Sequence, residues 1–125
     1  MRVSVRAALV ALLPLGLAAT AHAQNAGDGG AIFKARCATC HVNAAGASPT
    51  IGPNLYGVVG RKAASTGFTM YSSALKASAL TWTPKNLDAF LTSPSQLVPG
   101  TRMVISISDP RQRADVVAYL GTLRK

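Results

Sequence analysis

The sequence predicts a small all-α domain with a large share of irregular chain. Apolar residues at helical spacing open and close the body of the chain. The middle is rich in Gly, Pro, Ser and Asn and lacks the alternation a strand requires. Both cysteines of the 125 residues fall in one short motif beside a histidine, so a group other than side chains is expected to help fill the interior. At this length there is room for one domain, and 6% aromatic residues is a lean supply for a core of that size.

The first element is predicted to lie outside that domain. "MRVSVR" is a short basic start, "AALVALLPLGLAA" an apolar run broken by Pro14 and Gly16, and "AHA" ends in small residues as a signal-peptidase site does. The apolar run is shorter than the roughly 20 residues of a membrane span. Residues 1–23 are therefore expected to be a cleaved signal peptide, and residues 24–125 the mature domain in the periplasm, with no stable membrane insertion. Cleavage after Ala23 removes Arg2, Arg6 and His22, so the formal charge falls from +9 to +7 and His41 becomes the only histidine. A basic exported chain without lysine runs, finger spacing or interleaved aromatic and basic residues points to an acidic protein partner and away from nucleic acid.

The remaining elements follow in order. "DGGAIFKARCATCHV" reads as a helix capped by Asp28, with Ile32, Phe33, Cys37 and Cys40 near one face. "NAAGASPTIGPNLYGVVGRKAASTGF" has no sustained period and reads as a long loop, a length that usually serves a purpose in a small domain. "YSSALKASA" holds a short helix. "TPKNLDAFLTSP" is another, with Thr83 as cap, Pro84 in the first turn and Leu87, Phe90 and Leu91 facing inward. "SQLVPGTRMVISIS" is a loop. "DPRQRADVVAYLGTLRK" closes the chain as a helix opened by Asp109-Pro110, with Val116, Leu120 and Leu123 on one face and Tyr119 near it.

The motif "RCATCHVN" allows three chemistries. A redox dithiol places Cys-x-x-Cys at a helix start after a strand; here no strand precedes it. A zinc site requires four ligands, or three plus water, and no second cluster of cysteine or histidine exists in the mature chain. Covalent haem accounts for every residue. Thiols at i and i+3 of a helical turn reach two vinyl groups along one porphyrin edge, and the next residue, His41, falls beneath the ring with a nitrogen aimed at the iron. One strong ligand leaves a haem open to gases or peroxide, whereas two confine it to carrying electrons. The candidates for the second are Met70, in "GFTMYSS", and Met103, in the Pro-Gly loop "VPGTRM"; spacing favours Met103 only modestly. An open haem enzyme remains a rival, although open-site helical bundles carry this motif near the C-terminus.

"GAIFKARCATCH", "GPNLYGVVGRK", the "LTW" around Trp82, "SPSQLVPGTRM" and "RADVVAYL" stand in this order from Gly30 to Leu120. Together they resemble class I cytochrome c, in its mitochondrial-type and bacterial cytochrome c2 branch. The resemblance implies the small cytochrome c fold: three main helices, short helices and long loops wrapped around one haem c. It implies thioethers at Cys37 and Cys40, His41 and Met103 as the two axial ligands, and the Pro53 carbonyl as acceptor of the other His41 ring N–H. Arg61, Tyr71 and Trp82 match positions that bind a haem propionate or its network. Gly30, Phe33, Tyr119 and Leu120 match the crossing of the first and last helices. The implied function is that of a monomeric one-electron carrier, not an enzyme. It would work between acidic redox proteins, such as membrane oxidase or reductase complexes, or serve one periplasmic dehydrogenase.

The chain departs from the family pattern at several places. Phe90 stands where a tyrosine often hydrogen-bonds the methionine sulfur, and Ile105 where a phenylalanine often lies against the haem. Arg36 and Arg102 keep two positions of the lysine ring around the haem edge, but Ser95, Gln96, Asp109 and Pro110 occupy others.

Overall fold

A computed structural model describes residues 23–124. The predicted leader, residues 1–23, lies outside the described residues except for Ala23. Among these residues five helices follow one another: α1 (Ala26–Arg36), α2 (Ser73–Ala77), α3 (Pro84–Thr92), α4 (Pro94–Leu97) and α5 (Pro110–Thr122). Among the described residues the only ladder pairing is an isolated antiparallel bridge between Lys62 and Thr81. No described helix is long and apolar enough to cross a membrane.

Local chemistry sets most boundaries. Thr83 and Asp109 cap α3 and α5, and each is followed by a proline whose missing N–H costs nothing at a helix start. The first helix begins three residues earlier than expected. Its cap is Asn25, not Asp28: the Asn25 side chain accepts from the N–H groups of Gly27 and Asp28. Asp28 sits instead in the first turn, where a negative charge suits the helix dipole. The same helix also stops earlier, at Arg36, so Cys37–Cys40 form a separate turn closed by Cys40 N–H to Cys37 O (3.0 Å) and His41 N–H to Cys37 O (2.9 Å). The predicted helix through Pro94 stops at Thr92, and a separate single turn, α4, begins at Pro94 and runs into the stretch read as loop from Ser95.

The crossing of α1 and α5 frames the molecule, and α3 packs on α5. Phe33 meets Tyr119 at 5.5 Å between ring centroids. The closest approach is at Gly29, one residue from the expected Gly30. A β-carbon on Gly29 would overlap the Asp115 carbonyl oxygen, whereas one on Gly30 would only graze the Tyr119 ring at 3.2 Å. Two polar ties fix the crossing. The buried Asp115 carboxylate accepts from Asn25 N–H (2.7 Å), and Asn43 Nδ2 donates to the Tyr119 hydroxyl (2.6 Å). The second tie joins the segment after His41 to the last helix. Leu87, Phe90, Leu91, Val116 and Leu120 turn their buried faces to a common interior, completed by Val58, Trp82 and Ile107 from loops.

Candidate functional site

Inside this frame lies a cavity of about 550 Å³, a volume in the range of sites for small ligands and cofactors. Its walls are mainly aliphatic and aromatic: Leu55, Val58, Leu87, Phe90, Val116 and Leu120 all face it, and among the described residues no carboxylate side chain does. Cys37, Cys40, His41, Pro53, Arg61, Tyr71, Trp82 and Met103 all line it, so the structure brings the eight predicted site residues to one place.

His41 is the most tightly positioned of them. Its Nδ1 lies 2.8 Å from the Pro53 carbonyl oxygen. A carbonyl only accepts, so Nδ1 carries the proton and Nε2 keeps its lone pair. Burial holds the imidazole pKa below its usual value, against an opposing pull from the Pro53 hydrogen bond. At neutral pH the ring is therefore uncharged, as a metal ligand must be. The loop beneath the ring is built for it. Gly52 N–H and Thr50 Oγ1 both donate to the Cys40 carbonyl, at 2.8 and 2.9 Å, and a β-carbon on Gly52 would come within 2.5 Å of His41 Cε1. Asn54 holds the next turn by donating to the carbonyls of Ala44 and Ala47 and accepting from Tyr56 N–H.

Gly52→Ala should accordingly push the ring off Pro53 or lift the loop. The expected cost is about 1–3 kcal/mol of stability, together with loss of the slowly exchanging Nδ1 proton from the NMR spectrum. A protected Nδ1 proton in the variant would show that Gly52 does not position the ring.

The two thiols are half-buried and unbridged. Burial pushes the Cys37 thiol up, despite the opposing charge of Arg36. A thiol so shifted is a poor thiolate, which counts against the redox dithiol reading. Among the described residues no three His, Cys, Asp or Glu side chains are gathered around a point that could hold a metal ion.

Met103 and Met70 both face the cavity, so lining alone does not separate them. Met103 is half-buried and packs against the core, whereas Met70 is 50% exposed. At another part of the lining, Arg61 is held by the carbonyls of Tyr56 (3.0 Å) and Asn54 (2.9 Å), and Tyr71 shares a 2.6 Å hydrogen bond with Thr66. Burial lowers the Arg61 pKa and nearby Tyr71 opposes that shift, but a guanidinium remains a cation at any working pH. The Trp82 indole N–H finds no partner among the described residues, and its ring packs edge-on against Phe90 at 5.0 Å. Ile105 is exposed at the margin of the same cavity.

This donor set fits a haem. It has two thiols for attachment, a neutral imidazole with a free Nε2, a thioether, apolar walls, and N–H donors suited to carboxylates. Sequence reasoning missed Gly52 and Thr50. The only available signal was a glycine beside the proline in "IGPN".

Comparisons with known proteins agree in direction. The sequence pattern of the family described as Cytochrome c matches residues 26–124. The chain is 41% identical over 122 residues to cytochrome c2 of Rhodomicrobium vannielii, covering 94% of this chain and 97% of that one. It is 44% identical over 93 residues to cytochrome c of Theileria annulata, covering 74% and 80% respectively. Cytochrome cH from Methylobacterium extorquens superposes with a TM-score of 0.72 at 42% identity, over 78% of this chain and 98% of that one.

Proposed function

Since this chain belongs to the cytochrome c family, as a class I member, we propose that it is an exported one-electron carrier with His41 and Met103 as the axial ligands of its haem. The family consists of electron-transfer proteins rather than enzymes, and carries one covalently attached haem c. When bound, the haem supplies a ferric/ferrous iron couple. The observation that carries the reading is the His41–Pro53 hydrogen bond, which presents Nε2 on a cavity also lined by two thiols and Met103.

Each residue then has a task. Cys37 and Cys40 hold the group as thioethers. Pro53 fixes the His41 tautomer and strengthens it as a donor. The soft thioether of Met103 and the apolar walls favour the reduced state, which carries less charge. Arg61, Tyr71 and Trp82 supply donors toward the propionates. Phe90, with no hydroxyl to offer the Met103 sulfur, leaves the reduction potential modestly altered from that of tyrosine-bearing relatives.

Residues 1–23 direct export, and the mature domain 24–125 works in the periplasm as a monomer. Its partners are acidic redox proteins: a membrane oxidase or reductase complex, or one periplasmic dehydrogenase. Lys34, Arg36 and Arg102 are exposed on or beside the elements that carry Cys37 and Met103. Where relatives extend a basic ring, this chain has Asp109 and Pro110, which are committed to starting α5. The thin ring favours a dedicated partner over a general one.

Electron exchange with an acidic partner should slow steadily as ionic strength rises across a range where the Debye length falls from roughly 30 to 3 Å. Stopped-flow measurement checks this. A rate that stays flat or rises with salt would remove the acidic-partner proposal.

A further inference from the structure

Tyr71 lines the cavity and Thr66 does not, yet their two hydroxyls meet at 2.6 Å. Thr66 stands behind the tyrosine, half-buried, in the loop that leaves the Lys62–Thr81 bridge. That loop is drawn back on itself. Ala63 N–H donates to the Leu80 carbonyl (2.8 Å) and Ser65 Oγ to the Lys62 carbonyl (2.6 Å). Between them Ala64 takes left-handed backbone (φ +54°), which is unfavourable for any residue with a β-carbon. The Tyr71 ring is held from a second side by Phe68, edge-on at 5.0 Å between centroids.

The hydroxyl pair has a direction. A hydroxyl has one proton to donate and two lone pairs with which to accept. Thr66 Oγ1 accepts from the Phe68 N–H at 3.3 Å, because an amide N–H only donates. Between Thr66 and Tyr71 either oxygen can be the donor. A carboxylate on the cavity side only accepts, so it claims the Tyr71 proton, and the 2.6 Å bond is then kept by Thr66 giving its own proton to the Tyr71 oxygen. Three bonds then point the same way, from the Phe68 amide through Thr66 and Tyr71 into the cavity. Each polarises the next, strengthening it by roughly 10–30%.

We propose that Thr66 is a positioning residue, which turns the Tyr71 hydroxyl proton into the cavity and strengthens it as a donor to a carboxylate of the bound haem. The proposal rests on the reading of Tyr71 as a propionate donor. A carboxylate better screened in this way presents less negative charge to the iron, and so favours the ferric state less.

Thr66→Val removes the hydroxyl with little change of shape, and Thr66→Ser keeps it. Both are made in the haem-loaded protein, alone and in a Tyr71→Phe background, and the ferric/ferrous balance is measured by potentiometric titration at one neutral pH. Thr66→Val is expected to shift the balance toward ferric by about twofold to threefold, as weakening one hydrogen bond to a charged group allows. Thr66→Ser should stay close to wild type. With Tyr71→Phe in place, Thr66→Val should change nothing further. Ser65→Ala loosens the same loop without touching Tyr71 and should match wild type. In the NMR spectrum of the ferrous protein, the Tyr71 hydroxyl proton should move upfield and exchange faster in Thr66→Val.

If Tyr71→Phe shifts the balance and Thr66→Val does not, the relay is overturned and Tyr71 stands alone as the donor. A Thr66→Val shift that persists without the tyrosine hydroxyl would also overturn it, because Thr66 would then act through loop packing. An unchanged balance in Tyr71→Phe itself would remove the propionate reading of Tyr71, and the relay with it.

Discussion

Gly29→Ala should be among the most damaging single changes in this protein. The added carbon would overlap the Asp115 carbonyl oxygen, lie 2.5 Å from its carbonyl carbon and 2.9 Å from Tyr119 Cβ. Two of those three atoms belong to the backbone of α5, so no side chain can swing aside and the two helices must separate. Separation also loosens the Phe33–Tyr119 packing and the Asn25–Asp115 hydrogen bond. The expected loss is about 3 kcal/mol or more, or on the order of 15 °C in thermal midpoint for a domain of this size. Gly30→Ala is the matched control. It meets only the edge of the Tyr119 ring at 3.2 Å and gains helix propensity, so its effect should stay within about 1 kcal/mol. Equal losses in the two variants would show that the crossing is not set by backbone contact at Gly29.

The second large effect is expected at Met103. Met103→Ala should leave the ferrous protein able to bind carbon monoxide at neutral pH and cost about 2 kcal/mol of stability, the lower end for a truncation at a half-buried methionine. Met70→Ala, at an exposed position on the same cavity, should bind no carbon monoxide and change stability by less than about 0.5 kcal/mol. The pair separates the two thioethers that spacing alone leaves close. If Met70→Ala opens the iron and Met103→Ala does not, the ligand assignment is reversed.

The parts of the fold legible from sequence are those whose signals are local. Thr83-Pro84 and Asp109-Pro110 announce α3 and α5 because cap and first-turn chemistry is written in adjacent residues. Asn25 and Asp28 are equally good caps by type, and only the path of the chain into the Asp115 contact selects the earlier one. The turn of α4 is too short to show a period. Gly29 and Gly30 are neighbours, so which of them meets α5 depends on the rotational setting of α1, a property of the packed pair.

The site divides in the same way. Cys-x-x-Cys-His is compact enough to be read directly. Met103 lies 62 residues beyond His41 and was singled out by resemblance. Gly52 acts on a ring 11 residues earlier, which no local pattern encodes. Arg36 and Arg102 read as two positions of the basic ring around the haem edge, and only the folded chain places them on the carbonyls of Ser106 and Met70.

The most direct test of the central claim is the optical spectrum of the exported, haem-loaded protein, oxidised and then reduced, from the visible into the near infrared. His41/Met103 ligation predicts the weak far-red ferric band of an iron–thioether bond, lost in Met103→Ala, and sharp α and β bands on reduction. A high-spin spectrum without the far-red band would contradict it and give the lead to an open, ligand-binding haem.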